Sequence, residues 1–152
     1  MIKIFVETSI SWSRPGDGIV GCIIVKDDVE PISLYGTVKS CTENQSVIIG
    51  FTRAIERLKP TDDVIVLNTS CAFVVNALNN RWPMLWERNR YIGAKGKIVR
   101  NAREWHQLMK ALSGRNVVEI RLRNSEFLRD ECLLRAKNHG FLSSVQRSVK
   151  KI

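Results

Sequence analysis

The spacing of apolar residues changes in a definite order along the chain. Ile2-Lys3-Ile4-Phe5-Val6-Glu7-Thr8-Ser9 is short, β-branched and almost wholly apolar, the pattern of a strand covered on both faces of a sheet. A turn-rich connection over 11–18 leads to a second apolar run at 19–25. Asp27-Asp28 mark a turn, and a third strand is expected over 32–38. Three strands at this spacing predict an antiparallel meander. The period then becomes helical: Val47, Ile48, Phe51, Ala54, Ile55 and Leu58 share one face, Thr42 and Gln45 have capping-box spacing, and Pro60 follows the end. Residues 64–67 are continuous and apolar, which predicts an interior fourth strand parallel to the first. Asn68-Thr69-Ser70 offer caps for a helix running to about Leu78. After a Trp-rich segment (81–86) and a basic, glycine-interrupted stretch (88–100), Asn101 and Glu104 open a helix with Trp105, Leu108, Met109 and Leu112 on its face. Residues 117–122 read as a fifth strand and 125–138 as a last helix.

The order is thus β-β-β-α-β-α-(basic segment)-α-β-α. It predicts an α/β fold, one mixed five-stranded sheet flanked by helices on both faces. With 152 residues the chain is expected to form one domain over 1–139, followed by a basic C-terminal tail, 140–152. No apolar run approaches the roughly 20 residues of a membrane span, so no membrane partner is expected, and the opening strand lacks the features of a secretory signal. Cys22, Cys41, Cys71 and Cys132 lie far apart with no C-x-x-C pair, which fits reduced thiols and a cytoplasmic location.

Charge changes the picture. The net charge is +9, and the excess sits in two segments. Residues 81–103 hold seven basic side chains (Arg81, Arg88, Arg90, Lys95, Lys97, Arg100 and Arg103) against Glu87 alone, a balance of +6. Residues 135–152 hold five basic and no acidic side chains, a balance of +5. Concentrated positive charge favours a polyanion such as nucleic acid, and the bland alternative is a solvated basic face.

Local matches in the same order resemble the ribonuclease H family. Ile4-Phe5-Val6-Glu7-Thr8-Ser9 is similar to the family's I-F-T-D-G-S strand end, Thr42-Glu43-Asn44-Gln45 to its T-N-N-R helix start, and Val64-Ile65-Val66-Leu67-Asn68-Thr69-Ser70 to V-I-L-S-T-D-S. Trp82, Trp86 and Val99-Arg100-Asn101 before Trp105 match its tryptophan-rich handle, and Leu133-Leu134-Arg135-Ala136 resembles the end of its last helix. The resemblance runs from Lys3 to about Ala136 and implies a ribonuclease H-like fold.

It also implies an activity that the residues undercut. The family cleaves the RNA strand of RNA–DNA hybrids with two Mg²⁺ ions held by four carboxylates. Two divalent ions about 4 Å apart need several hard oxygen ligands. The matching positions here are Glu7, Val47, Ser70 and Glu131, with Asp130 as the alternative to Glu131. Val47 cannot ligate, and Ser70 offers only a neutral oxygen. Glu43, one helical turn before Val47, is the one other carboxylate in range, while Asp62 and Asp63 precede the fourth strand and belong to the opposite edge of the sheet. Glu7, Glu131, Asp130 and Glu43 could hold one weakly bound Mg²⁺ or Mn²⁺ at most, and no other cofactor is expected. The family's histidine loop before the last helix is shortened by about three residues, and neither His106 nor His139 falls there. Cys71, beside Ser70, has no histidine placed to activate it as a nucleophile.

The binding parts are better kept. Thr42 and Asn44 match residues that in the family touch the nucleic-acid backbone, Trp86 matches one that contacts the DNA strand, and Arg88, Arg90, Lys95, Lys97 and Arg100 fall on the family's basic protrusion. Trp82 and Trp105 read as core residues, and Trp12 as either an exposed stacking surface or packing at the sheet edge. The expectation is a catalytically impaired, ribonuclease H-like protein that binds an RNA–DNA hybrid or duplex. The alternatives are an active metal-dependent hybrid ribonuclease with a rearranged acidic site, and a protein-interaction scaffold, for which a homodimer is one form.

Overall fold

The computed structural model describes residues 1–11 and 14–140; Trp12 and the tail from 141 onward lie outside the described residues. The first strand, β1 (Ile2–Thr8), runs through the middle of a five-stranded sheet. It pairs antiparallel with β2 (Gly16–Lys26), which pairs antiparallel with β3 (Ile32–Cys41). On its other side β1 pairs parallel with β4 (Val64–Thr69), which pairs parallel with β5 (Asn116–Leu122), giving the order β3-β2-β1-β4-β5. The continuous apolar character of β1 follows from this position, since Ile4 and Val6 face one core and Phe5 the other.

Four helices cover one face: α1 (Glu43–Arg57), α2 (Ala72–Asn79), α3 (Trp82–Arg88) and α4 (Ala102–Leu112). Val47, Ile48, Phe51, Ala54 and Ile55 of α1 are buried against β1, β2 and β4, as their helical spacing predicts. A close approach makes this packing possible. A Cβ on Gly50 would lie 2.6 Å from Val6 Cγ1 and 2.8 Å from Val20 Cγ2, so only glycine fits between α1 and the sheet. The fifth helix, α5 (Glu126–Asn138), packs on the opposite face across β2 and β1, with Leu128, Cys132 and Ala136 seated against Ile19, Phe5, Ile23 and Tyr35. Helices therefore lie on both faces of a mixed sheet.

Several local expectations differ from what forms. The strands extend further than their apolar runs because ladder pairing carries polar residues such as Asp17 and Ser40 with it. Thr42 caps α1 by accepting the Gln45 N–H at 3.2 Å, but the Gln45 side chain donates to Glu104 on α4 instead of closing the capping box. Cys71, not the Asn68-Thr69-Ser70 trio, holds the cap position of α2. Asn68 lies within β4 and donates its amide to the Ile4 and Val66 carbonyls, and the Thr69 hydroxyl accepts the Cys71 N–H. The Trp-rich segment forms α3, a short helix with Pro83 near its start and turned inward. Trp82 is consequently pushed outward and is 36% exposed, correcting its reading as a core residue, whereas Trp105 is fully buried.

Strand register decides which residues can meet. Ile2 pairs with Ile65 and Val6 with Thr69, so Glu7 and Ser70 emerge at the same end of the sheet. Asp63 lies at the other end, where it pairs with Lys26 at 3.2 Å. Only residues 123–125 separate β5 from α5, and the Arg123 N–H bonds to the Thr69 carbonyl at 2.9 Å, holding this link against β4. His106 lies on α4 and His139 caps the end of α5, so neither sits in that link.

Candidate functional site

At the carboxyl end of β1 the chain places a carboxylate and two hydroxyls. Those hydroxyls fasten the strand end. Thr8 donates to the Ile19 carbonyl at 3.2 Å and accepts from the Ser46 hydroxyl at 2.9 Å, and Ser9 accepts the Ile19 N–H at 2.9 Å. Glu7 is only 3% exposed, and a carboxylate in such a place needs donors. Ser70 supplies two. Its hydroxyl donates to Oε1 at 2.5 Å and its backbone N–H to Oε2 at 2.9 Å. Burial nevertheless dominates, raising the Glu7 pKa above the ordinary carboxylate value. The two Ser70 bonds and the charge of Arg129 pull it down, and the charge of Glu43 pushes it up.

The other expected site residues are placed as follows. Val47 is buried hydrocarbon at 1% exposure on α1. Glu43 is half-buried in the first turn of α1, where its charge acts on both Glu7 and Cys71. Asp130 is exposed on α5, while Glu131 is half-buried there and its charge acts on Tyr35 and Cys132. On α5 it is the charge of Arg129, beside the expected Asp130 and Glu131, that acts on Glu7 and lowers its pKa. Sequence reasoning missed this residue. The available signal was its position three residues before the buried Cys132, whose thiol donates to the Glu7 carbonyl at 3.5 Å.

These residues do not fit a pair of divalent ions. Both oxygens of Glu7 are already engaged by Ser70, the Ser70 hydroxyl points its proton at Glu7, and Val47 offers no donor atom. Among the described residues, no three His, Cys, Asp or Glu side chains are gathered where they could hold a metal ion. Burial pushes the Cys71 thiol up to about 11, and the thiol donates to Asn44 Oδ1 at 3.1 Å.

The basic protrusion is built on aromatic packing. Phe73, Trp82, Trp86 and Trp105 form a continuous ladder with ring centroids 6.1, 6.4 and 5.6 Å apart, from the first turn of α2 through α3 into the core at α4. Trp86 is thus half-buried, with its ring edge-on to Trp105. Beyond α3 the chain turns through two successive left-handed residues, Arg90 and Tyr91, with φ of 54° and 59°. The bonds that hold that turn include Tyr91 N–H to the Trp86 carbonyl at 2.6 Å and Val99 N–H to the Tyr91 carbonyl at 2.8 Å. The tip closes through an Ile92–Ile98 bridge around Gly96. Arg88, Arg90, Lys95, Lys97 and Arg100 are all exposed on this scaffold, and none forms an ion pair among the described residues. Thr42 and Asn44 are half-buried at the start of α1.

The architecture has known counterparts. It superposes on the crystal structure of RNase H1 from the halophilic archaeon Halobacterium salinarum with a TM-score of 0.64 and 17% identity, covering 90% of this chain and 97% of that one. On LC9-RNase H1, described as a type 1 RNase H with the type 2 active-site motif, the TM-score is 0.70 at 17% identity, covering 99% of this chain and 77% of that one. The fold is that of ribonuclease H. In sequence, the chain is 28% identical over 122 residues to a ribonuclease H of Moorella thermoacetica, covering 80% of this chain and 78% of that relative. It is 26% identical over 118 residues to a ribonuclease H of Caldicellulosiruptor saccharolyticus, covering 77% and 80% respectively. No family model matches the chain. LC11-RNase H1, solved in complex with an RNA/DNA hybrid, shares the ribonuclease H fold with this chain at a TM-score of 0.58 and 18% identity, covering 90% of this chain and 99% of that one. Among the described residues, no helix is long and apolar enough to cross a membrane.

Proposed function

We propose that this ribonuclease H-like chain binds nucleic acid, an RNA–DNA hybrid or duplex, without carrying out the two-metal hydrolysis of its relatives. The observation that carries the reading is the state of Glu7: its carboxylate is satisfied by Ser70, beside a valine and a serine where two further acids would be needed. Binding rests on the exposed cations of the protrusion, with Trp86 and the start of α1 contributing contacts. Phosphate contacts of this kind give affinity and salt dependence with little sequence discrimination. The wide minor groove of a hybrid, with its 2′-hydroxyls, suits recognition by shape. Four buried free cysteines fit a reducing, cytoplasmic setting.

A second reading, a hybrid ribonuclease with a rearranged acidic site, is favoured by one observation. The charge of Glu43 reaches Glu7, so two carboxylates share this end of the sheet. Hybrid binding measured against salt tests the first reading. Log K is expected to fall linearly with log salt, and replacing Lys95 and Lys97 with Ala should make the slope shallower by about 0.9 for each phosphate that is no longer neutralised. Absence of binding at low salt would overturn it.

A further inference from the structure

A phosphate backbone crossing the carboxyl end of β1 and β4 meets the negative charge of Glu7. In a metal-dependent relative, divalent ions would offset such charge, but the donor set here does not fit them. The positive charge must come from the chain itself. Among the described residues, α5 provides it.

Leu128, Cys132 and Ala136 are buried and fix which face of α5 lies on the sheet, while the Cys132 thiol anchors that face to the Glu7 carbonyl. Arg129 sits beside Leu128 and nearly one turn before Cys132, half-buried at the edge of this contact. Side chains on a helix lean toward its N-terminus, which directs Arg129 toward the end of the helix nearest the 123–125 link. That link is held against β4 next to Ser70 by the Arg123 N–H to Thr69 carbonyl bond. The exposed Arg123 side chain belongs to the same end of the sheet. Arg129 makes no direct ion pair among the described residues, so the donors of its guanidinium remain available.

We infer that Arg129 is a phosphate-seating residue: its guanidinium takes a backbone phosphate of the bound nucleic acid at the Glu7–Ser70 end of the sheet and makes binding there independent of divalent metal. The inference rests on the nucleic-acid-binding reading above and adds an anchoring point outside the basic protrusion. The chemistry suits the residue, because a guanidinium fork matches two phosphate oxygens at once where an ammonium meets them as a point charge.

The test is equilibrium binding of a fluorescent RNA–DNA hybrid by the full chain, in EDTA and in Mg²⁺, across a salt series. Wild type, Arg129→Gln, Arg129→Lys and Arg57→Gln are compared, Arg57 lying in the last turn of α1. Equal wild-type binding in EDTA and Mg²⁺ is expected. Arg129→Gln should weaken it about tenfold or more and make the log–log salt slope shallower by about 0.9. Arg129→Lys should keep the slope but bind more weakly than wild type, and Arg57→Gln should match wild type. If Arg129→Gln fails to fold, the Arg129→Lys comparison carries the result, with undiminished affinity counting against the inference. Wild-type binding that EDTA abolishes, or an Arg129→Gln isotherm identical to wild type, overturns the inference while leaving the binding reading intact. No wild-type binding at low salt overturns both.

Discussion

Replacing Ser70 with Ala removes one of the two donors that hold the Glu7 carboxylate. The backbone N–H of residue 70 still reaches Oε2, but Oε1 is left without its 2.5 Å partner in a place where Glu7 is 3% exposed. A hydrogen bond to a charged group contributes about 1.5–3 kcal/mol, and one between neutral groups about 0.5–1.5 kcal/mol. The cost should therefore depend on whether Glu7 is ionised. Its folded pKa is raised, chiefly by burial, so the stability it contributes is complete below the ordinary 4.5 and is lost as pH rises through the higher folded value. The Ser70 hydroxyl opposes that rise, and without it the folded pKa moves up further. The penalty of the substitution thus grows with pH. At pH 8 the loss should be about 1.5–3 kcal/mol, a fall in Tm of about 3–12 °C for a chain of this size, and at pH 4 clearly less. Urea unfolding and thermal melting of both proteins at the two pH values provide the comparison. Equal penalties at pH 4 and pH 8, or none at pH 8, would refute the view that this hydroxyl serves the ionised carboxylate.

Two further outcomes follow from burial. Phe51 is fully enclosed at the centre of the α1–sheet core, so Phe51→Ala should cost about 3–5 kcal/mol in urea unfolding; a loss under about 1 kcal/mol would show the core to be far looser than its packing implies. Burial pushes the Cys22 and Cys132 thiols up to about 12 and Cys71 up to about 11, so a thiol reagent at pH 8 should leave these three unmodified until the protein is denatured, and rapid labelling of the native chain would contradict their enclosure.

The sheet and its helices are legible in the sequence because each is written as a repeated pattern. The doubly buried β1 and the face of α1 carrying Val47, Phe51 and Ile55 are examples. Helix starts are less legible, because a capping residue is chosen by its surroundings. Asn101 adopts a left-handed φ of 61° and makes no side-chain cap, and Asn68 is claimed by β4. The same distinction holds at the site. That Val47 cannot bind metal is visible from its chemistry alone. The engagement of Glu7 by Ser70 depends on the β1–β4 register, and the approach of Arg129 depends on which face of α5 meets the sheet. Trp82 departs from its core reading because helical spacing marks a face without saying whether another layer covers it. α3 lies at the rim of the helical layer, so that face is partly bare.

The most direct measurement is incubation of a labelled RNA–DNA hybrid with stoichiometric protein in Mg²⁺ and in Mn²⁺, followed by separation of bound, free and cut strands. The account predicts a retained complex with the RNA strand intact in both metals. RNA cleavage that requires the metal and disappears in Glu7→Gln would contradict it and establish the carboxylate as part of a working nuclease.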